Sequence, residues 1–292
     1  MLKLISSVAI LGCIFGGFQI IGGNLMMLLK PTEVLIIFGT GISAMLFSMN
    51  TKSIKLMFVQ IKSISNKYDT KIKYKQLLML MRDIVNFKRK RSPKELDREL
   101  DNVESSALFT QYDLIIQDKV LLQFISDNMR YYTNAKPDAH QIESLMQDEI
   151  DAIYDEQMKP SQSLSSLADA CPGLGVLAAV MGIILTMANI DADVAQIGLG
   201  IATALVGTFL GMLGCYAIFK PLSQALGNNV EDNLIALSVS KKIISEITAN
   251  KPILMAVDAG RRMINTDYKP KFAELEKWFD NNDSSFAQEG KS

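Results

Sequence analysis

The sequence predicts an all-α, polytopic membrane protein, with four transmembrane helices in two hairpins joined to helical polar portions. Three observations predict it. First, four runs (about 2–21, 33–50, 170–190 and 196–219) are apolar over close to the roughly 20 residues that a helix needs to cross a bilayer. Second, charge is segregated. Residues 1–50 carry only Lys3, Lys30 and Glu33, and residues 164–219 only Asp169, Asp191 and Asp193, although 21% of the chain is charged. Third, the polar portions repeat apolar residues at helical spacing, and nothing reads as a sheet.

The elements follow in order. The first run starts after Lys3, as a signal peptide would. It stays apolar well past a short signal core and no Ala-x-Ala site follows, so it reads as a retained span. Residues 22–32 connect it to the second span. Residues 51–75 then hold seven Lys against one Asp. Basic segments next to spans stay on the cytoplasmic side, which places 51–163 and the short N-terminus there. Within that portion, 70–87 (TKIKYKQLLMLMRDIVNF) reads as a helix, and the charged run FKRKRSPKELDRELDN is broken at Ser92-Pro93. Residues 103–133 read as one long amphipathic helix and the acidic stretch 139–158 as another. The third and fourth spans are joined by 191–195, which has two Asp and no base. Lys220 directly follows the fourth span, so 220–292 is cytoplasmic as well, with helices expected at 228–249, 253–266 and 270–280. The final NNDSSFAQEGKS reads as a disordered tail. The expected domains are a transmembrane hairpin at 1–50, a cytoplasmic helical region at 51–163, a second hairpin at 164–219, and cytoplasmic helices with a tail at 220–292.

Several chemistries are disfavoured. A net charge of −1 offers no case for nucleic-acid binding. Cys13, Cys171 and Cys215 lie in or at spans without metal-ligand spacing and read as small packing residues. His140 is alone in a polar helix and reads as a solvated surface residue. No nucleophile elbow, phosphate loop or zinc signature is present. No enzyme, metal or cofactor is expected.

The spans carry a pattern of their own. In CPGLGVLAAVMGIILTMANI (171–190), Pro172, Gly175, Ala179 and Gly182 recur at spacings that put them on one helix face. Gly200, Ala204, Gly207, Gly211 and Gly214 repeat this on the fourth span, with Gly207 and Gly211 forming a small-xxx-small contact. In lipid no hydrophobic drive pulls helices together, so close backbone packing has to do it. The two stripes predict a tightly packed inner ring of helices. Pro172 and Pro221 stand at the inner ends of these spans. Each either ends its span or marks a kink that could serve as a gate or hinge. The span interiors hold no Asp, Glu, Lys, Arg or His. Their hydroxyls include Thr186, Thr203 and Thr208, which can back-bond to their own helix or line a wet passage. If such a chain conducts ions, the titrating carboxylate comes from another chain.

Five stretches carry a family resemblance: LGCIFGGFQIIGG, VLIIFGTGI, CPGLGVLAAVMG, ALVGTFLGMLGCYAIFKPL and AVDAGRRMI. Together, and over nearly all of the chain, they resemble the A subunit of the bacterial flagellar motor stator, the MotA family. The resemblance implies an inner-membrane protein and a pentamer of A subunits around two B subunits. Each B subunit has one span with an essential aspartate and a peptidoglycan-binding domain. The complex couples ion flow to torque on the rotor protein FliG. The stripes would then surround the partner helices. The family's two channel prolines correspond to Pro172 and Pro221, and its channel threonine in GTFLG to Thr208. Its rotor-contact pair, an Arg and a Glu eight residues on in a SLERDIE-like segment, corresponds to Arg89 and Asp97, where this chain reads ELDRELD. The acid here is Asp rather than Glu, and Lys88, Lys90 and Arg91 flank the Arg. Sodium-driven relatives carry a further Thr where this chain has Ala179, which implies protons as the coupling ion. The alternatives are an energiser of the related ExbB/TolQ type and a non-conducting membrane scaffold. Four spans in two hairpins argue against the first, and the prolines with Thr208 against the second.

Overall fold

The computed structural model describes residues 2–65, 69–135, 137–188 and 193–282, and among these every regular element is a helix. Asp191 of the expected outer connection and residues 283–292 of the expected tail lie outside them. Packing divides the chain into Met1–Asn66 with Glu156–Asn229, and Lys67–Asp155 with Val230–Ser292.

The first unit opens with α1 (Leu2–Ile20) and a short turn of tighter helix at Leu25–Met27. Helix α2 (Pro31–Ser48) begins with a proline, whose missing N–H belongs to a position with no intrahelical acceptor. It widens into a π-turn at Leu35–Gly39. Met49 then turns extended and Asn50 caps α3 (Thr51–Ser65), its Oδ1 accepting from the Ser53 N–H at 2.7 Å. This amphipathic helix was not singled out from the sequence.

Two long helices enter both units. Helix α8 runs unbroken over Ala139–Ala188 with Pro160 and Pro172 inside it, so the expected 139–158 helix and third span are one element. Helix α9 covers Val194–Thr248, joining the fourth span to the expected 228–249 helix. Pro221 therefore does not end the span. Its ring would clash with the carbonyl four residues back, and a π-turn at Gly214–Phe219 opens the backbone just before it. Among the described residues three helices are long and apolar enough to cross a membrane: Pro31–Ser48, Ala139–Ala188 and Val194–Thr248. The apolar part of α1, Val8–Ile20, is shorter.

The second unit starts with α4 (Thr70–Lys90), capped by Asp69 and closed by Lys88, Arg89 and Lys90, cations that suit the negative end of a helix. Ser92 caps α5 (Pro93–Asp101) through the Glu95 N–H. The expected helix at 103–133 is instead turns, then α6 (Asp113–Ile116) and α7 (Lys119–Ala135). Two features override the helical spacing there. Leu108, Phe109 and Tyr112 are drawn into the core, and Asp118 caps α7 by accepting from the Leu121 N–H. Helix α10 (Ile253–Arg261) stops short of the expected 266, and α11 (Phe272–Asn282) follows. Leu77, Ile84, Phe109, Phe124, Ile125 and Leu275 sit fully buried at the centre of this unit.

Beside them lies a polar cluster. Arg82 pairs with Asp83 at 2.6 Å, donates to the Trp278 carbonyl at 2.9 Å and stacks on Phe279, while Tyr112 donates to the other Asp83 oxygen. Burial, and then the Asp83 carboxylate, push the Tyr112 hydroxyl far above its ordinary pKa, so it remains a donor.

Candidate channel-forming helix pair

The two small-residue stripes meet each other. A Cβ added at Gly175 would stand 2.8 Å from the Gly207 carbonyl oxygen and 3.1 Å from the Gly211 Cα. One at Gly211 would stand 2.6 Å from the Cys171 carbonyl oxygen. Gly207 lies against Ala178 and the Ala179 amide, and Gly182 against Ala204. At the far end a Gly200 Cβ would overlap Thr186. Seven of the eight predicted glycines and alanines, buried Ala179 among them, thus line one seam between α8 and α9, and the eighth, Gly214, lies against Phe38. The expectation that both stripes surround a partner is corrected to that extent. Within one chain the glycines are spent on helix-to-helix contact, because backbone against backbone leaves no room for a third helix there.

The hydroxyls divide. Thr186 donates to the Gly182 carbonyl at 2.9 Å, back-bonding within its own helix, whereas Thr208 and Thr203 are half-buried on α9. Pro172 is half-buried inside α8, and its missing N–H withdraws a donor from the Ala168 carbonyl.

Below the seam the helices are tied by polar groups that the sequence reading did not pair. Lys220 donates to Asp169 at 2.9 Å and to the Ser165 hydroxyl at 3.1 Å. Buried Ser161 donates to the Ser223 carbonyl and Ser223 donates to the Ser161 carbonyl, both at 2.8 Å. Each serine lies within two residues of Pro160 or Pro221, so the crossties bracket the backbone irregularities. The individual residues were visible in the sequence, but their register across two helices was not. Glu33 stands out in the sequence only as one of the three charges in residues 1–50. It is 7% exposed in the first turn of α2, where its carboxylate accepts from the Thr32 hydroxyl at 2.6 Å.

Arg89 and Asp97 belong to the other unit. Arg89 is exposed in the last turn of α4. Burial raises the Tyr132 hydroxyl above its ordinary pKa and the Arg89 charge opposes this, while Lys88 lies over the same ring, 3.2 Å from its centroid. Asp97, on α5, is half-buried and accepts from the Asn134 amide of α7 at 3.3 Å. One turn on, Asp101 pairs with Arg130 of α7 at 2.5 Å. The acid is thus braced, and the base projects. Among the described residues no cluster of His, Cys, Asp and Glu could hold a metal ion.

Glycine-seamed helices long and apolar enough to cross a bilayer define a polytopic membrane protein. Residues 4–92 match the family described as Motility protein A N-terminal, and residues 116–238 the MotA/TolQ/ExbB proton channel family. The chain is 39% identical to chemotaxis protein LafT of Vibrio parahaemolyticus, covering 95% of this chain and 98% of the relative. It is 34% identical to motility protein A of Salmonella typhimurium, covering 95% and 94%. The fold is similar to that of C. jejuni MotAB, with a TM-score of 0.72 at 18% identity over 91% of this chain and 96% of that one. It is also similar to the flagellar MotAB stator complex from Bacillus subtilis, with a TM-score of 0.64 at 19% identity over 94% and 97%. The chain belongs to the motility protein A family of flagellar stator subunits.

Proposed function

We propose that this chain couples proton flow to flagellar rotation. In this reading it assembles as a pentamer in the bacterial inner membrane around a B-type partner, and its cytoplasmic helices push on the rotor protein FliG. The segments 1–50 and 164–219 are the membrane hairpins. The portions 51–163 and 220–292, with both termini, face the cytoplasm.

The observation that carries the reading is the pair of spans α8 and α9. They are held by glycine contacts, edged by Pro172, Pro221 and Thr208, and contain no Asp, Glu, Lys, Arg or His in their apolar interiors. A bare charge at the bilayer centre costs at least roughly 2.5–3.5 kcal/mol on insertion scales. A carboxylate that takes up a proton crosses the same region neutral, and in this reading the partner's span supplies it. Ala179 has no oxygen to offer a sodium ion, which needs several close oxygen ligands. Protons are the coupling ion on this ground.

The test is proton flux into vesicles holding the chain alone, the chain with its B-type partner, or the chain with a partner whose span aspartate is changed to Asn. Flux is expected only from the intact pair and independent of external sodium. Equal flux from the chain alone overturns the division of labour, and a steep sodium dependence overturns the choice of ion. For the rotor contact, Arg89→Glu with Asp97→Lys should impair swimming far more than either Ala change, because single exposed charges contribute modestly. Normal swimming by the double reversal, with normal stator assembly, removes the pair from the proposal.

A further inference from the structure

Helix α3 has two faces, and only one of them is used inside the chain. On the inner face Ser53, Met57 and Gln60 are buried. Gln60 donates to the Gln157 carbonyl at 3.0 Å, and the Ser63 hydroxyl accepts from the Asn229 amide at 3.3 Å. These contacts fix the roll of the helix. The opposite face therefore presents a defined set: Lys52, Lys55 and Lys62 are exposed, with Phe58 63% and Val59 65% exposed among them. Two residues separate α3 from the end of α2, where Phe47 is 94% exposed. No acidic residue occurs anywhere in 34–68.

We infer that this face of α3 is a binding surface for anionic phospholipid headgroups. Helix α2 ends at the membrane surface by its length and apolarity, so α3 begins there. A helix lying in the interface buries aromatic and aliphatic side chains at the acyl boundary and extends lysines to the phosphates. Lys52, Lys55 and Lys62 recur at spacings of three and seven, which aligns them along one side, with Phe58 and Val59 between them. An aqueous protein surface leaves Phe58 and Val59 in water, and a bilayer surface covers both while pairing the lysines. The charge selects anionic lipid: zwitterionic headgroups offer no net attraction, whereas anionic lipids draw each basic residue near the surface. The inference rests on insertion of α2 in a bilayer and not on ion coupling or torque, so it stands or falls separately from the proposed function.

The full-length chain is reconstituted in phosphatidylcholine vesicles with and without phosphatidylglycerol, and spin-labelled lipids report which species the protein holds. The wild-type chain is expected to prefer phosphatidylglycerol over phosphatidylcholine by about threefold, and less at high salt. Lys52→Gln with Lys55→Gln and Lys62→Gln should bring the ratio close to one without changing helix content. A second variant guards against misfolding. The chain's single tryptophan, Trp278, is changed to Phe, and Val59→Trp places the reporter on the face. Its emission should be quenched by brominated phospholipid. An unchanged lipid preference in the triple variant overturns the inference. So does a Val59→Trp signal that brominated lipid does not quench, whether the face is covered by another copy of the chain or left in water.

Discussion

The two packed units are closed by different chemistry. In the unit of Met1–Asn66 and Glu156–Asn229, the central contact is peptide backbone on peptide backbone at Gly175, Gly207 and Gly211. Large aliphatic side chains such as Leu185 and Leu205 point outward, 69% and 65% exposed. In the unit of Lys67–Asp155 and Val230–Ser292 the large side chains point inward and glycine is almost absent from the core. Gly260, against Ile243, is its one close approach among the described residues. The difference teaches which solvent each unit answers to. Water expels Phe109 and Phe124 into a core, whereas lipid is as apolar as leucine and rewards only close van der Waals fit. Polar groups follow the same division. In the first unit they are neutral or peripheral ties such as Ser161 with Ser223, and in the second an ion pair, Arg82 with Asp83, is buried outright.

This contrast can be broken on either side, and the largest effect is expected at the buried ion pair. Arg82→Ala leaves Asp83 buried with only Tyr112 and should destabilise the second unit by about 3–5 kcal/mol. Denaturation of the purified chain measures it. Replacing both partners, Arg82→Met with Asp83→Leu, should recover most of that loss, since two apolar groups leave no stranded charge. A double variant as unstable as the single one means that the cluster works through its bonds to Trp278 and Tyr112 and not through its charge.

Next in size is the seam. Gly211→Val forces a Cβ to within 2.6 Å of the Cys171 carbonyl, where neither backbone can yield cheaply, and should cost about 1–3 kcal/mol or more. Gly173→Ala is the control: it lies on the facing helix α8, two residues before Gly175, but meets nothing within 4 Å. It should be nearly silent in thermal stability and motility. Equal damage from the two substitutions would show that helix propensity, not close approach, makes glycine necessary here.

The smallest expected effect is electrostatic and pH-dependent. Hydrogen bonds from Lys242 and then Lys251 hold the Glu246 carboxyl below its ordinary pKa, outweighing burial. A lowered folded-state pKa stabilises the protein above the ordinary glutamate value of about 4.3 and ceases to do so as pH falls through the folded value. Glu246→Gln should therefore weaken the second unit at neutral pH by less than about 1 kcal/mol, since both lysines are partly solvated. That difference should shrink as pH falls below the ordinary glutamate value and vanish once pH is below the lowered folded value. A gap that persists in acid assigns the effect to packing.

Much of the candidate site was legible as residue types. The stripes at 172–182 and 200–214 could be read because three- and four-residue spacing defines a helix face without any coordinates. The partner of each stripe was less accessible. Gly175 fits Gly207 as well in principle as it fits a helix of another chain, and only packing chose between them. The turns at 102–112 were missed for a related reason. Their apolar residues keep helical spacing, and the pull of the core on Phe109, with the Asp118 cap, outweighs that local pattern. Helix continuity through Pro160 and Pro221 was likewise hidden, since an isolated proline argues for a break of about 3 kcal/mol. A long helix packed along its length offsets that cost, and the π-turn before Pro221 relieves the clash.

Apolar run length, charge segregation and helical period were enough for the sequence alone to determine an all-helical chain with long membrane-competent helices. These are properties of consecutive residues in a given solvent, and they hold whatever the chain does further along. Only the tertiary structure decided that the glycine stripes face each other, that Asp169 meets Lys220 and that α3 turns Lys52, Lys55 and Lys62 outward. Each of these depends on the register between helices far apart in sequence, which is set by which backbones can approach without a clash.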